Sequence, residues 1–166
     1  MPVPISQIKK KCKKIKLLIS DVDGVLTDGG MYYTENGEFM KKFNTRDGVV
    51  LQLLDQSIQT VFVTGEKSKI TKPRARKINV NSIYEGITKK ELILPIICKK
   101  YHLKPNEIAY IGDDVNDFDI MKRVGFCASP NDAIKKILEI SDYVCTAKGG
   151  EGAFREFAEV ILQAQT

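Results

Sequence analysis

The chain has 166 residues, 43% of them hydrophobic and 28% charged, with a formal net charge of +5 from 26 Lys and Arg against 21 Asp and Glu. This length fits one domain with a core large enough to fold without a disulfide or metal staple, and the composition excludes a disordered or collagen-like chain. Residues 1–16 hold six lysines (Lys9, Lys10, Lys11, Lys13, Lys14 and Lys16) and no acid; without them 20 cations face 21 anions, so the body is electrically balanced, its basicity belongs to a leader, and no nucleic-acid or membrane partner is expected.

In chain order, the leader (residues 1–15) spaces Ile5, Ile8, Cys12 and Ile15 at helical steps of three and four, which predicts a short amphipathic helix with a solvated lysine face. The apolar run that follows, Leu17-Leu18-Ile19, is too short for an export signal or a membrane span. The four cysteines (Cys12, Cys98, Cys127 and Cys145) show no CxxC and no zinc spacing, so the expected compartment is a reducing cytoplasm. Cys98, Cys127 and Cys145 sit among apolar residues and read as small core side chains.

A first strand is expected at 16–20. Residues 29–45 then read as a β-hairpin, with strands at 31–34 and 38–43 flanking the turn signal Asn36-Gly37. A two-stranded hairpin is marginal alone, so its aromatics (Tyr32, Tyr33, Phe39 and Phe43) predict an oligomer contact. Further strands are expected at 60–63, 82–84, 108–111, 126–128 and 143–145, alternating with helices near 48–56, 67–78, 88–101, 116–123, 131–140 and 151–163. Asn131-Asp132 is the cap candidate for the helix that follows it. Pro73 and Pro95 interrupt two of the helical stretches and predict either a kink or a late helix start. His102 reads as a surface or capping residue. The alternation predicts an α/β domain spanning 1–166, with a parallel sheet covered on both faces.

Three strand ends carry chemistry. The first strand runs into Ser20-Asp21-Val22-Asp23-Gly24, and ligands of open α/β sheets bind beyond such carboxyl ends. Two carboxylates this close need a cation between them or a shared proton. Both states serve phosphoryl transfer, with Asp21 as nucleophile and Asp23 as acid and base, although a DxD pair alone also fits an acidic surface turn. Ile111-Gly112-Asp113-Asp114-Val115-Asn116-Asp117 sets a second acidic cluster after another strand, which suits an oxygen-ligand Mg²⁺ site. Thr64-Gly65 closes a third strand with a hydroxyl and backbone N–H groups fit for phosphate. Lys90, between the third and fourth sheet strands, could hold that phosphate and offset the aspartates.

In this order, DVDGVLTDG, VTG, a lysine and GDDVND strongly resemble the haloacid-dehalogenase superfamily of aspartyl-phosphate phosphatases. Phe43–Gly48 (FNTRDG), the early hairpin and 148–156 (KGGEGAFRE) resemble its small capless branch, typified by Kdo 8-phosphate phosphatase. The resemblance covers nearly the whole chain and implies a Rossmann-like three-layer fold with a protruding hairpin and no cap domain. It implies Asp21 as nucleophile and Mg²⁺ ligand, Asp23 as acid/base and ligand through its carbonyl, and Asp113 as third ligand. Thr64 and Lys90 would bind the phosphoryl group, and Asp114 and Asp117 would support the metal from outside its coordination sphere, with Gly65 and Asp47 as further supporting residues. It also implies a homotetramer in which a neighbouring subunit completes each site.

The branch acts on phosphates of eight- and nine-carbon α-keto sugar acids. Members of the Kdo type usually carry Arg after the Thr-Gly, whereas Glu66 stands here, as in members acting on KDN or sialic-acid 9-phosphates. Arg74 and Lys77 match a pair in those members by spacing, and a helix would place them on one face toward a sugar carboxylate. The expected substrate is therefore a nine-carbon 2-keto-3-deoxy sugar acid 9-phosphate. The alternatives are Kdo 8-phosphate and, from another class, a non-catalytic oligomerisation module. Lys89 departs from the branch, which usually has an acid or Asn before the motif lysine.

Overall fold

The computed structural model describes residues 4–54 and 57–166. Chain order runs α1 (Ile5–Cys12), β1 (Leu17–Ser20), β2 (Tyr32–Thr34), β3 (Gly37–Met40), α2 (Thr45–Leu54), β4 (Gln59–Val63), α3 (Thr71–Lys77) and β5 (Ser82–Tyr84). It continues with α4 (Leu94–Tyr101), β6 (Ile108–Ile111), α5 (Phe118–Met121), β7 (Phe126–Ser129), α6 (Lys135–Ile140), β8 (Tyr143–Val144) and α7 (Ala153–Gln165). Residues 1–3 of the leader, and 55–56 of the helix expected at 48–56, lie outside the described residues.

Six strands form one parallel sheet in the order β5-β4-β1-β6-β7-β8, and the hairpin β2-β3 stands apart from it. Strand side chains alternate between two apolar layers. Leu18, Phe62, Ala109 and Phe126 pack with Val50 and Leu54 of α2, Cys12 of α1, and Phe154, Phe157 and Ile161 of α7. Leu17, Ile19, Val61 and Tyr110 pack on the other side with Leu94 and Ile97 of α4, Ile120 and Met121 of α5, and Ile137 of α6. This is the expected three-layer α/β architecture. From β1 the chain builds outward to β4 and β5, then crosses back to β6 on the other flank. That reversal beside β1 is the topological switch point, where a crevice opens at the strand ends.

Several expectations are revised. The leader is helical, but it is part of the fold: Cys12 and Ile15 are buried, Lys11 pairs with Asp142 at 2.5 Å, and Gln165 Nε2 donates to the carbonyls of Cys12 (2.9 Å) and Ile15 (2.7 Å). Only its remaining lysines form a solvated face. Cys12 belongs to the core as well, whereas Cys98 is half-buried; all four cysteines are free. Both prolines mark late helix starts. Pro73 and Pro95 fall in the first turns of α3 and α4, where a missing N–H forfeits no intrahelical bond. Asn131 and Asp132 do not cap α6, whose N-cap is Ile134. They hold the loop before α7 instead: Asn131 donates to the Thr146 carbonyl and Asp132 accepts the Gly149 N–H at 3.0 Å. The stretch at 116–123 splits into a 3-10 turn (Val115–Asp117) and α5. His102 ends α4 in the left-handed conformation, φ +54°.

In the hairpin, Thr34 pairs with Gly37, which takes φ +105° where a side chain would be strained. Met31, Tyr33, Phe39 and Met40 are exposed, whereas Phe43 is half-buried against the core beneath the Arg74 guanidinium, 5.6 Å from its ring. Among the described residues, no helix is long and apolar enough to cross a membrane.

Candidate active site

The switch point brings the three sequence motifs together. Register pairs Ser20 with Phe62 of β4 and with Ile111 of β6, so Asp21, Thr64 and Asp113 leave adjacent strands at one edge. Asp21, Asp23, Thr64, Gly65, Glu66, Asp113 and Asp114 line a cavity of about 360 Å³ together with Met31, Val115 and Asn116. Gly24 takes φ +89°, and a Cβ there would sit 2.0 Å from Asp113 Oδ2; glycine at this position lets the Asp21 loop and the Asp113 carboxylate approach. Glycines of the 148–152 segment press on the same loop from behind, since a Cβ on Gly149 would meet the Gly24 carbonyl oxygen at 1.9 Å.

Asp21, Asp113 and Asp117 each offer a carboxylate oxygen within 4.8 Å of the others. Lys90 is fully buried and lies 2.7 Å from both Asp21 Oδ1 and Asp117 Oδ1. Asp21 Oδ1 also accepts the Val22 N–H at 2.7 Å. Asp117 is saturated: Oδ1 takes Lys90 and the Tyr110 hydroxyl (2.5 Å), and Oδ2 takes the N–H groups of Asp113 (2.9 Å) and Asp114 (3.2 Å). Asp113 Oδ1 is buried with no partner. Buried oxygens without donors, set among like charges, fit a hard divalent cation. Burial pushes the Asp21 carboxyl well above the usual range, and Asp117 adds to this while Lys90 opposes it. Asp113 is likewise raised, by burial first and then by Asp21 and Asp117. Burial alone would depress the Lys90 ammonium, but Asp21 and Asp117 more than reverse it and keep the cation charged.

Not all of the other expected residues reach the cavity. Asp47 is buried under α7, where its Oδ1 accepts the Arg155 N–H at 3.0 Å, so it caps that helix. Arg74 packs on Phe43 and donates from Nη2 to the Asn44 carbonyl at 3.1 Å, outside the cavity lining. Lys77 and Lys89 are exposed. Glu66 is exposed at the cavity. Sequence reasoning missed Tyr110, read only as a strand residue, and Asn116, inside a motif whose acids drew the attention. It also missed Lys41, whose Nζ pairs with Asp23 Oδ1 and, at 3.1 Å, with Glu38. No local signal marks Lys41, because an adjacent Lys42 makes the pair look like solvent-exposed hairpin.

Comparison with known proteins agrees with this geometry. Residues 58–156 match the haloacid dehalogenase-like hydrolase family. A 3-deoxy-D-manno-octulosonate 8-phosphate phosphatase of Escherichia coli is 37% identical over 164 residues, 98% of this chain and 87% of its own. The crystal structure of such a phosphatase from Moraxella catarrhalis, in complex with magnesium, phosphate and KDO, superposes with a TM-score of 0.94 at 37% identity, covering 98% of this chain and 94% of that one. A cobalt-bound form from Haemophilus influenzae gives 0.90 at 37% identity, covering 93% and 91%. This chain therefore belongs to the haloacid dehalogenase-like hydrolases, in the capless branch that includes the Kdo 8-phosphate phosphatases.

Proposed function

We propose that the chain is a Mg²⁺-dependent phosphatase that hydrolyses 3-deoxy-D-manno-octulosonate 8-phosphate through an aspartyl-phosphate on Asp21. The observation that carries this reading is the constellation of buried Asp21 and Lys90 with half-buried Asp113 at the switch point of a chain related almost end to end to phosphatases of that substrate. Asp21, Asp113 and the Asp23 carbonyl would hold the dication, which supplies positive charge to the phosphoryl oxygens and favours ionised Asp21. Val22 N–H and Lys90 both engage Asp21 Oδ1 and fix the orientation of the carboxylate for in-line attack. The ester P–O bond breaks as the Asp21–phosphorus bond forms, and Asp23 gives its proton to the leaving sugar oxygen. Water then attacks phosphorus, Asp23 takes the water proton, and Asp21 is released. The Thr64 hydroxyl and the Gly65 loop donate to the phosphoryl group, with Lys90 balancing charge behind it. The Asp21→Asn variant should keep its circular dichroism spectrum and lose turnover by about 10³-fold or more.

A second reading, a nine-carbon sugar acid 9-phosphate, is favoured by Glu66 at the cavity, an acceptor for sugar hydroxyls. The near end-to-end Kdo-phosphatase relatives favour the eight-carbon substrate over it. Measured kcat/KM for the two phosphates decides: higher efficiency on the nine-carbon ester would displace the Kdo assignment. We further propose that the exposed hairpin face (Met31, Tyr33, Phe39 and Met40) is covered by other copies in a tetramer, which light scattering would test. The reading also places the enzyme in a reducing cytoplasm.

A further inference from the structure

Among the described residues two lysines are buried, and only one was anticipated. Lys90 belongs to the nucleophile. Lys41 lies just past β3, at the base of a hairpin whose strands are otherwise mostly exposed, yet its side chain is 2% exposed. Its Nζ bridges Asp23 Oδ1 and Glu38 Oε1. Glu38 in turn accepts the Ser68 hydroxyl through Oε2, and the Ser68 N–H donates to Glu85 Oε1 at 3.2 Å. A chain of charge and hydrogen bonds thus ties the hairpin to the Asp21–Gly24 loop on one side and to the segment after Thr64 on the other. The second oxygen of Asp23, Oδ2, is buried with no partner. Burying an ammonium between two carboxylates is costly in desolvation and rarely a net stabiliser, so its physical return is a fixed geometry.

We propose that Lys41 is a positioning residue for proton transfer: by clamping Asp23 Oδ1 against Glu38, it leaves Oδ2 as the oxygen that gives and receives the proton. The inference rests on the phosphatase reading above and deepens it. In the first half-reaction the proton on Oδ2 passes to the oxygen whose bond to phosphorus breaks. In the second, the attacking water passes a proton back to Oδ2 as the Asp21–phosphorus bond breaks. The hairpin then does more than offer an apolar face, because its placement sets the direction of the acid.

The test uses phenyl phosphate and p-nitrophenyl phosphate, which are close in size but differ in how much their leaving oxygen needs a proton. In the full-length protein with Mg²⁺, Lys41→Met should lower kcat/KM for phenyl phosphate by about 100-fold, and that loss should exceed its loss on p-nitrophenyl phosphate at least tenfold. Because the second half-reaction also needs Asp23, the same variant should show a burst of nitrophenolate before slow turnover. Equal losses on both esters, or none on phenyl phosphate, would overturn the proposal. If Lys41→Met is unfolded by circular dichroism, Glu38→Gln, which keeps the lysine, should show the same ester dependence at smaller amplitude, and equal losses there overturn it too. A wild-type protein inactive on every phosphate ester, sugar-acid phosphates included, would instead refute the phosphatase reading itself.

Discussion

Asp47 provides a test of the buried electrostatics away from the carboxylate cluster. It is 2% exposed, accepts one hydrogen bond from the Arg155 N–H, and its Oδ2 is buried without a partner. Burial raises its carboxyl to about 6 from an ordinary 3.8, against the opposing pull of the Arg155 N–H and the Arg74 charge. An acid whose folded pKa is raised stabilises the fold fully below about 3.8, and that contribution is lost as pH rises through about 6. The shift corresponds to about 3 kcal/mol at its limit, of which about 1.3 kcal/mol is gained between pH 7 and pH 5. Asp47→Asn removes the titration and keeps an oxygen for the Arg155 N–H. Urea unfolding of both proteins, at one protein concentration, should therefore show wild type gaining about 1.3 kcal/mol on the variant between pH 7 and pH 5, or about 3–5 °C in Tm. A difference that stays constant over that range would mean that Arg74 and the helix N-terminus hold Asp47 ionised throughout, and would refute the reasoning.

Other parts of the site give further outcomes. Chelation with EDTA should abolish phosphatase activity and added Mg²⁺ restore it; activity unaffected by chelator would contradict the cation assigned to Asp21 and Asp113. Gly24→Ala puts a Cβ 2.0 Å from Asp113 Oδ2 at a positive φ, so half-saturating Mg²⁺ should rise about 10–100-fold, and an unchanged Mg²⁺ titration would count against the close approach. Tyr110→Phe removes one donor to Asp117 and should lower unfolding free energy by about 1.5–3 kcal/mol, measured in urea; a neutral result would mean that the contact contributes nothing.

The sheet, its order of elements and the acids at its strand ends were legible because each rests on a local pattern. The apolar runs at 17–19, 61–63 and 108–111 lead directly into Ser-Asp, Thr-Gly or Gly-Asp, so strand and motif announce each other. What sequence hid depends on distance through space. Asn131 and Asp132 look like a helix cap, but in the folded chain they bond the loop at 146–149 instead. Asp47 is expected from the FNTRDG stretch as a supporting residue of the site, yet its partner is the N–H of a residue 108 positions away. Arg74 was matched to a substrate carboxylate by spacing; in the folded chain it packs on Phe43 and donates from Nη2 to the Asn44 carbonyl, outside the cavity lining. The substrate assignment moved for a related reason. Glu66 alone pointed to nine carbons, while similarity spread over 164 residues points to eight.

The distribution of hydrogen bonds divides four similar aspartates into two kinds. Asp117 has both oxygens filled, by Lys90, Tyr110 and two backbone N–H groups, so it has nothing left to offer a ligand and works as a fixed charge that holds Lys90. Asp21 has its identified contacts on Oδ1, Asp23 has its ion pair on Oδ1, and Asp113 keeps Oδ1 bare. Each of these three retains an oxygen for reaction or coordination. The chain thus commits one acid and one lysine to rigidity, and under the proposed function the other three would meet a cation and a phosphoryl group without rearranging. Such preorganisation makes electrostatic stabilisation effective, because no reorientation is required when charge develops. It also explains why Asp117, within the 4.8 Å carboxylate cluster, is not interchangeable with its neighbours. Its charge acts through Lys90, and within the cluster Asp113 Oδ1 is the oxygen left without a partner.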